Sequence, residues 1–204
     1  MKTIIITGGI ATGKSTVCGY IAELEPKAVI FDCDAVVHEL LTTNLMRDRL
    51  SLEFSDHILD SNGNVDRSSL GGLVFSDVAK RRRLESIVHP AVLEQCTASR
   101  KEASESGDHP LFVADVPLYY QVDFPIDSDA VWVVGASSDE QRFRLLARYN
   151  GDIEESRVEQ LIEAQMPILE KVMLADKVIW NCGSMDSLNQ QTWLAIEEIK
   201  NDYR

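Results

Sequence analysis

Gly8-Gly9-Ile10-Ala11-Thr12-Gly13-Lys14-Ser15 fits the spacing G-x-x-x-x-G-K-[ST], directly after the apolar run Ile4-Ile5-Ile6-Thr7. Residue types in this order form a cradle for phosphate. Glycines let backbone N–H groups turn inward on an anion, and the helix that follows adds the positive end of its dipole. Lys14 can reach the outer phosphates and Ser15 can hold Mg²⁺, so a nucleoside triphosphate is the natural occupant. An ordinary Gly-rich turn is the competing reading. It is disfavoured by the succession of strand, loop, Lys-Ser and amphipathic helix through Val17, Tyr20, Ile21 and Leu24.

Carboxylates stand where such a loop would need them. Asp32 and Asp34 end a second apolar run, on the sheet edge where open α/β folds bind ligands. There a carboxylate can orient an acceptor hydroxyl and take its proton, although positioning and charge neutralisation supply most of the rate in phosphoryl transfer. For either residue alone, capping the next helix is an equal alternative. Asp115 ends the run Leu111-Phe112-Val113-Ala114, as a Mg²⁺-ordering acid would, and also as a plain strand-end Asp before Val116-Pro117 would.

Arg144 and Arg148 lie four apart, on one face of a helix ending near Asn150-Gly151. Like charges at that spacing slightly destabilise an unliganded helix, and a polyphosphate between them reverses the sign. Surface pairs with Glu140 and Asp152 are the alternative, and Arg142 and Arg157 lie nearby. Lys80-Arg81-Arg82-Arg83 reads as a solvated helix face. His89 precedes Pro90 at an expected helix start, where a structural role and an acceptor-pocket role compete equally; His38 is the other noteworthy histidine, and His57 and His109 read as loop residues. Asp60-Ser61-Asn62-Gly63-Asn64 imitates a calcium loop but has Val65 and Gly71 where Gly and Glu are needed. Asp60-x-x-Gly63 also matches a switch-type D-x-x-G, yet follows no buried strand.

The elements that must position these residues follow from periodicity. Strands are expected at 2–7, 28–31, 111–114, 130–134 and 177–180, and helices at 13–24, 138–149, 154–164, 167–174 and 185–200. Between the second and third strands lies far more chain than one crossover needs. A helical insertion fills it, with segments 35–42, 44–54, 67–74 and 77–105, the last restarting at His89-Pro90. The alternation implies an α/β fold with a parallel sheet covered on both faces.

The 204 residues, 45% of them hydrophobic, suffice for one such domain. A net charge of −13 opposes nucleic-acid binding, so bound phosphates must be met by local cations. Cys18, Cys33, Cys96 and Cys182 have no metal-ligand spacing and fit reduced thiols. The opening apolar run is too short for a signal segment and no later run could span a bilayer, so a soluble cytoplasmic protein is expected.

Taken together these motifs resemble the dephospho-coenzyme A kinase family, from Thr7 to about Leu188. The similar features are Thr7-Gly8-Gly9-Ile10 with Gly13-Lys14-Ser15-Thr16, Asp32-x-Asp34 with His38-Glu39-Leu40, and Phe75 and Leu84 leading to His89-Pro90. They continue with Asp115-Val116-Pro117-Leu118, Gln141 with Arg144 and Arg148, Gln165-x-Pro167, and Ala175-Asp176 through Asn181-x-Gly183-Ser184. The resemblance implies a three-layer phosphate-loop kinase core over residues 1–204, with a helical coenzyme A lobe over about 35–109 and a lid over about 139–157. It implies transfer of the ATP γ-phosphoryl group to the ribose 3′-hydroxyl of dephospho-coenzyme A, with Mg²⁺, by a monomer or small homo-oligomer needing neither nucleic acid nor membrane.

Carried onto this chain, the resemblance makes Asp34 the base, with Lys14, Arg144 and Arg148 meeting the transferring phosphate. Gly9, Ile10, Ala11, Thr12, Gly13, Lys14, Ser15 and Thr16 hold the nucleotide phosphates, Asn181, Cys182 and Gly183 line the adenine pocket, and Ser15 and Asp115 hold Mg²⁺. Three residues depart from the family pattern. Ala11 replaces a usual loop glycine, which is expected to shift loop dihedrals slightly; Cys33 replaces the alanine between the aspartates; Gln121 stands where Glu is usual and removes a charge. Two other readings compete: a kinase of the same core acting on a nucleoside or nucleotide, and a GTP-dependent switch, for which the guanine-reading N-K-x-D is lacking.

Overall fold

The computed structural model describes residues 1–75 and 77–201. Ile4, Ile5 and Ile6 are wholly buried, as in a strand covered on both faces, and form the centre of β1 (Lys2–Gly8). With β2 (Val29–Asp32), β3 (Leu111–Asp115), β4 (Ala130–Gly135) and β5 (Lys177–Trp180) it makes a five-stranded sheet in the order β2-β3-β1-β4-β5. Every pairing is parallel. The helices are α1 (Lys14–Leu24), α2 (Cys33–Thr42), α3 (Asn44–Phe54), α4 (Arg67–Phe75), α5 (Val78–Ser106), α6 (Ser138–Arg148), α7 (Glu155–Glu163), α8 (Ile168–Met173) and α9 (Met185–Asn201).

The α/β class and the parallel sheet are as the sequence implies. Ile4, Ile6, Val113, Trp132, Val134 and Ile179 form one core cluster with Val17 and Ile21 of α1 and Leu188, Ala195 and Ile196 of α9. Ile5, Phe112, Ala114 and Val133 alternate with these along the strands and are equally buried, so both faces are covered. Register then gathers the site. Ile6 pairs with Asp115, Asp115 with Asp32, Gly8 with Val134, and Gly135 with Trp180, so the carboxyl ends of all five strands open on one edge.

The chain divides into two compact units, Met1–Asp32 with Ser99–Arg204, and Cys33–Ala98. The second is helical, with Met46, Leu50, Ile58, Leu70, Val88, Val92 and Cys96 buried. Its helix starts follow local hydrogen bonding. Thr43 caps α3 by accepting from the Met46 N–H, Asp66 accepts from Ser68 N–H before α4, and Asp77 accepts from Ala79 and Lys80 N–H before α5. The Asp60 carboxylate accepts from the Asn62 and Asn64 N–H groups and Gly63 sits at φ 77°, which makes this segment a side-chain-tied turn. Lys80 and Arg83 pair with Asp77 and Glu53 on an exposed face.

Most element ends fall within a residue or two of expectation, and two differences change the setting of a candidate residue. α2 begins at Cys33, so Asp34 lies in its first turn rather than ahead of it. α5 runs unbroken through Pro90, and His89 is therefore a mid-helix residue, not a helix start. Pro90 cannot donate to the carbonyl one turn back, but its fixed φ suits a helix, and Val88 and Val92 hold the segment by burial on either side. Among the described residues no helix is long and apolar enough to cross a membrane.

Candidate active site

The loop between β1 and α1 is built by close approaches that only glycine allows. A Cβ on Gly8 would lie 2.3 Å from the Val134 carbonyl oxygen, and one on Gly13 would lie 2.2 Å from Asn181 Nδ2, with Gly13 itself at φ 96°. Ala11 also sits in the left-handed region, at φ 57°. The glycine-like conformation is retained there with a methyl group present, a strain of about 1–2 kcal/mol. Thr12 is fully buried and donates through Oγ1 to the Gly9 carbonyl at 2.9 Å. Lys14 Nζ lies 3.5 Å from the same carbonyl. Gly13 is the N-cap of α1 and has no side chain to offer, so the first turn of that helix has no side-chain cap, an arrangement in which a helix start can take an anion.

β5 and α6 brace this loop. Asn181 follows β5, is buried, and donates from Nδ2 to the Thr12 carbonyl at 2.9 Å. Its backbone N–H reaches the Gly135 carbonyl, and the next residue, Cys182, accepts from Ser137 N–H at 3.3 Å. Gly183 is exposed just beyond. Ser137 caps α6 by accepting from Glu140 N–H, and Gln141 and Leu145 seat the helix. Arg144 then donates to the carbonyls of Ala11 and Thr12 at 3.3 Å each and of Asn181 at 2.8 Å, and pairs with Glu140 at 3.1 Å.

Arg148 is exposed, and among the described residues it pairs with neither Asp152 nor any other carboxylate. Arg142 is held elsewhere, by Glu159 and Asp139.

Asp115 closes β3 and is only 6% exposed. The buried Cys18 thiol approaches its Oδ2 at 4.0 Å. Burial first, and then the Asp115 and Asp32 carboxylates, push that thiol far above its usual pKa, while Lys14 opposes them. One buried group thus feels both carboxylates and the loop lysine. Asp32 ends β2 and is exposed, and Asp34, exposed as well, follows two residues along the chain.

Several polar ties to the loop were not anticipated from the sequence. Gln165 Oε1 accepts from the Ile10 N–H at 2.7 Å. Gln121 Oε1 accepts from the Met166 N–H at 2.9 Å, a bond that the loss of charge relative to Glu leaves intact. Lys171 of α8 is wholly buried and donates through Nζ to the carbonyls of Gly8 at 2.8 Å and Pro117 at 3.1 Å. Burial, and secondarily the Lys14 charge, pull its pKa down to about 8. Its position carried a signal: Ile168, Lys171 and Val172 lie on one face of α8, so a lysine stands between apolar residues. Beside these ties lies a cavity of about 370 Å³ lined by Gly9, Gln141, Ile162, Gln165, Met166 and Pro167 among others.

Chemically, the edge offers backbone N–H groups and two cations to an anion, with oxygen donors beside them. Comparison with known proteins agrees with this arrangement. Residues 2–187 match the dephospho-CoA kinase family model. A dephospho-CoA kinase of Symbiobacterium thermophilum is 40% identical over 192 residues, covering 94% of this chain and 78% of the relative. One of Carboxydothermus hydrogenoformans is 39% identical, covering 98% and 95%. The crystal structure of a Thermus thermophilus protein superimposes with a TM-score of 0.78 at 28% identity, covering 97% of each chain. With a family model spanning nearly its whole length and relatives this similar, the chain belongs to the dephospho-CoA kinase family.

Proposed function

We propose that this protein transfers the γ-phosphoryl group of ATP to the ribose 3′-hydroxyl of dephospho-coenzyme A, giving coenzyme A and ADP. The observation that carries the reading is the convergence on one sheet edge of the uncapped loop Gly9–Thr16, Lys14, Asp115 and Arg144. Such a constellation serves phosphoryl transfer, where positioning and charge neutralisation do most of the work. Gly9, Ile10, Ala11, Thr12, Gly13, Lys14, Ser15 and Thr16 hold the phosphates. Asn181 shapes the loop through Thr12, and with Gly183 borders the adenine. Arg148, free of surface pairs among the described residues, and Arg144 supply charge from a lid over about 139–157.

The acceptor is held by a helical lobe over about 35–109. Asp34 orients the 3′-hydroxyl and takes its proton as that oxygen bonds to the γ-phosphorus and the bond to the bridging β-γ oxygen breaks. Ser15 and Asp115 offer a hydroxyl and a carboxylate, the hard oxygen donors that Mg²⁺ prefers, so the residues fit that ion. When bound, Mg²⁺ would neutralise charge developing on the phosphate oxygens. We place the enzyme in the cytoplasm, as a monomer or small homo-oligomer.

The test is incubation of purified protein with ATP, Mg²⁺ and dephospho-coenzyme A, with mass detection of coenzyme A. Failure to form it, or faster phosphorylation of a nucleoside or nucleotide in competition, refutes the assignment.

A further inference from the structure

Among the described residues, Lys171 is a buried ammonium whose hydrogen bonds go only to main-chain carbonyls. Its Nζ joins Gly8, the last residue of β1, to Pro117, two residues past Asp115. No carboxylate pairs with it among the described residues, although a buried lysine is ordinarily paired. Lys14 adds a second positive charge close by. An apolar residue would fill this place in a helix core at less cost, so the charge calls for a use.

The same short stretch holds the loop at another point. Gln165 accepts from Ile10 N–H, and Met166 N–H is held by Gln121 in the segment after Pro117. Residues 165–171 therefore tie the phosphate loop and the chain following Asp115 to one another from behind. A displacement of about 1 Å in such a frame can cost about a hundredfold in rate.

We propose that Lys171 is a positioning residue for phosphoryl transfer, setting the phosphate loop against the Asp115 strand end through its bonds to the Gly8 and Pro117 carbonyls. The inference rests on the function proposed above. Lys171 touches no phosphate in this role; it fixes the separation between the groups that hold the phosphates and the carboxylate that holds the metal ion. Its buried charge also favours an anion in the loop, so nucleotide is bound more tightly with Lys171 present even where no metal ion is added.

The experiment compares wild type with Lys171→Met, Lys171→Gln and Lys171→Arg, well below their melting temperatures. Steady-state transfer to dephospho-coenzyme A is read alongside ATP affinity by calorimetry without Mg²⁺. For the folded Met and Gln variants we expect kcat to fall about tenfold to a hundredfold and ATP affinity to weaken, with KM for dephospho-coenzyme A within about twofold of wild type. Lys171→Arg, which keeps charge and donors, should recover most of the lost kcat. Unchanged kcat and ATP affinity in a folded Met or Gln variant overturns the inference. So does an Arg variant that folds yet is as slow as Met, and so does loss of folding in both Met and Gln, which would make Lys171 a stability residue. A wild type that binds ATP but forms no coenzyme A would instead refute the function, and the calorimetric comparison would still judge Lys171.

Discussion

Replacing Lys171 by Met should change how stability depends on pH, and the structure sets both sign and size. In the folded protein the Lys171 pKa is pulled down to about 8, first by burial and then by the Lys14 charge, from an ordinary 10.5. Between those values the unfolded chain binds more protons at this position than the folded one, so wild-type stability rises with pH there. The penalty for burying the ammonium is fully present below pH 8 and relieved as the pH approaches 10.5. One pKa unit corresponds to about 1.4 kcal/mol, so wild type should gain about 1.4 kcal/mol on Lys171→Met by pH 9 and about 2.5 kcal/mol by pH 10. Taking the difference between the two proteins cancels the tyrosines, cysteines and other lysines that titrate in the same window. Urea unfolding followed by circular dichroism at pH 7, 8, 9 and 10 measures it. A difference that stays flat, or that falls with rising pH, would show that burial does not tax the ammonium and would refute the reasoning.

Lys14→Ala should leave the fold intact and lower transfer about a hundredfold or more, since it removes charge at the transferring phosphate; near-normal turnover in a coupled assay would contradict its assignment. Arg148→Ala should slow turnover with almost no change in melting temperature, because among the described residues it makes no ion pair, whereas Arg144→Ala should lose both rate and stability with its bonds to Ala11, Thr12 and Asn181. Asp34→Asn should keep ATP binding and lose most single-turnover transfer while Asp32→Asn is milder, and the reverse ranking would exchange their roles. Ala11→Gly should be neutral or stabilising by up to about 1 kcal/mol in thermal unfolding, since relief of positive-φ strain exceeds the added chain entropy; a clear loss of stability would argue against strain at this position.

The parts of the fold legible in the sequence are those that local pattern determines. The short apolar run Ile4-Ile5-Ile6 ahead of a Gly-rich turn reads as a strand buried on both faces, and the five runs read as strands became the five strands, with β2 and β5 at the sheet edges only partly buried. α5 shows where local rules fail: Pro90 read as a restart, yet flanking burial carried the helix through it. In the site, the loop and the strand-end acids were legible because their chemistry is written in adjacent residues. The bonds made by Lys171, Gln165 and Gln121 were not, because they go to backbone atoms 163, 155 and 45 residues away, respectively. Any residue presents a carbonyl or, proline apart, an N–H, so no residue type elsewhere announces that a side chain will bond there.

Three departures from ordinary local preference fall together at the loop between β1 and α1, while others lie elsewhere, such as Ser55 and Asn150 at positive φ and the starts of α7 and α8 without side-chain caps. Ala11 lies in the left-handed region, α1 begins without a side-chain cap, and Lys171 is buried with no carboxylate partner among the described residues. Each costs stability in the free protein, by strain, by unsatisfied donors or by desolvation. A bound polyphosphate offsets two of them directly, since it satisfies the inward N–H groups and supplies the negative charge that Lys14 and Lys171 lack. In a chain of net charge −13, fixed positive potential cannot come from the surface as a whole and has to be built locally. On the function proposed above, the costs concentrated at this loop are those of holding a site ready for an anion.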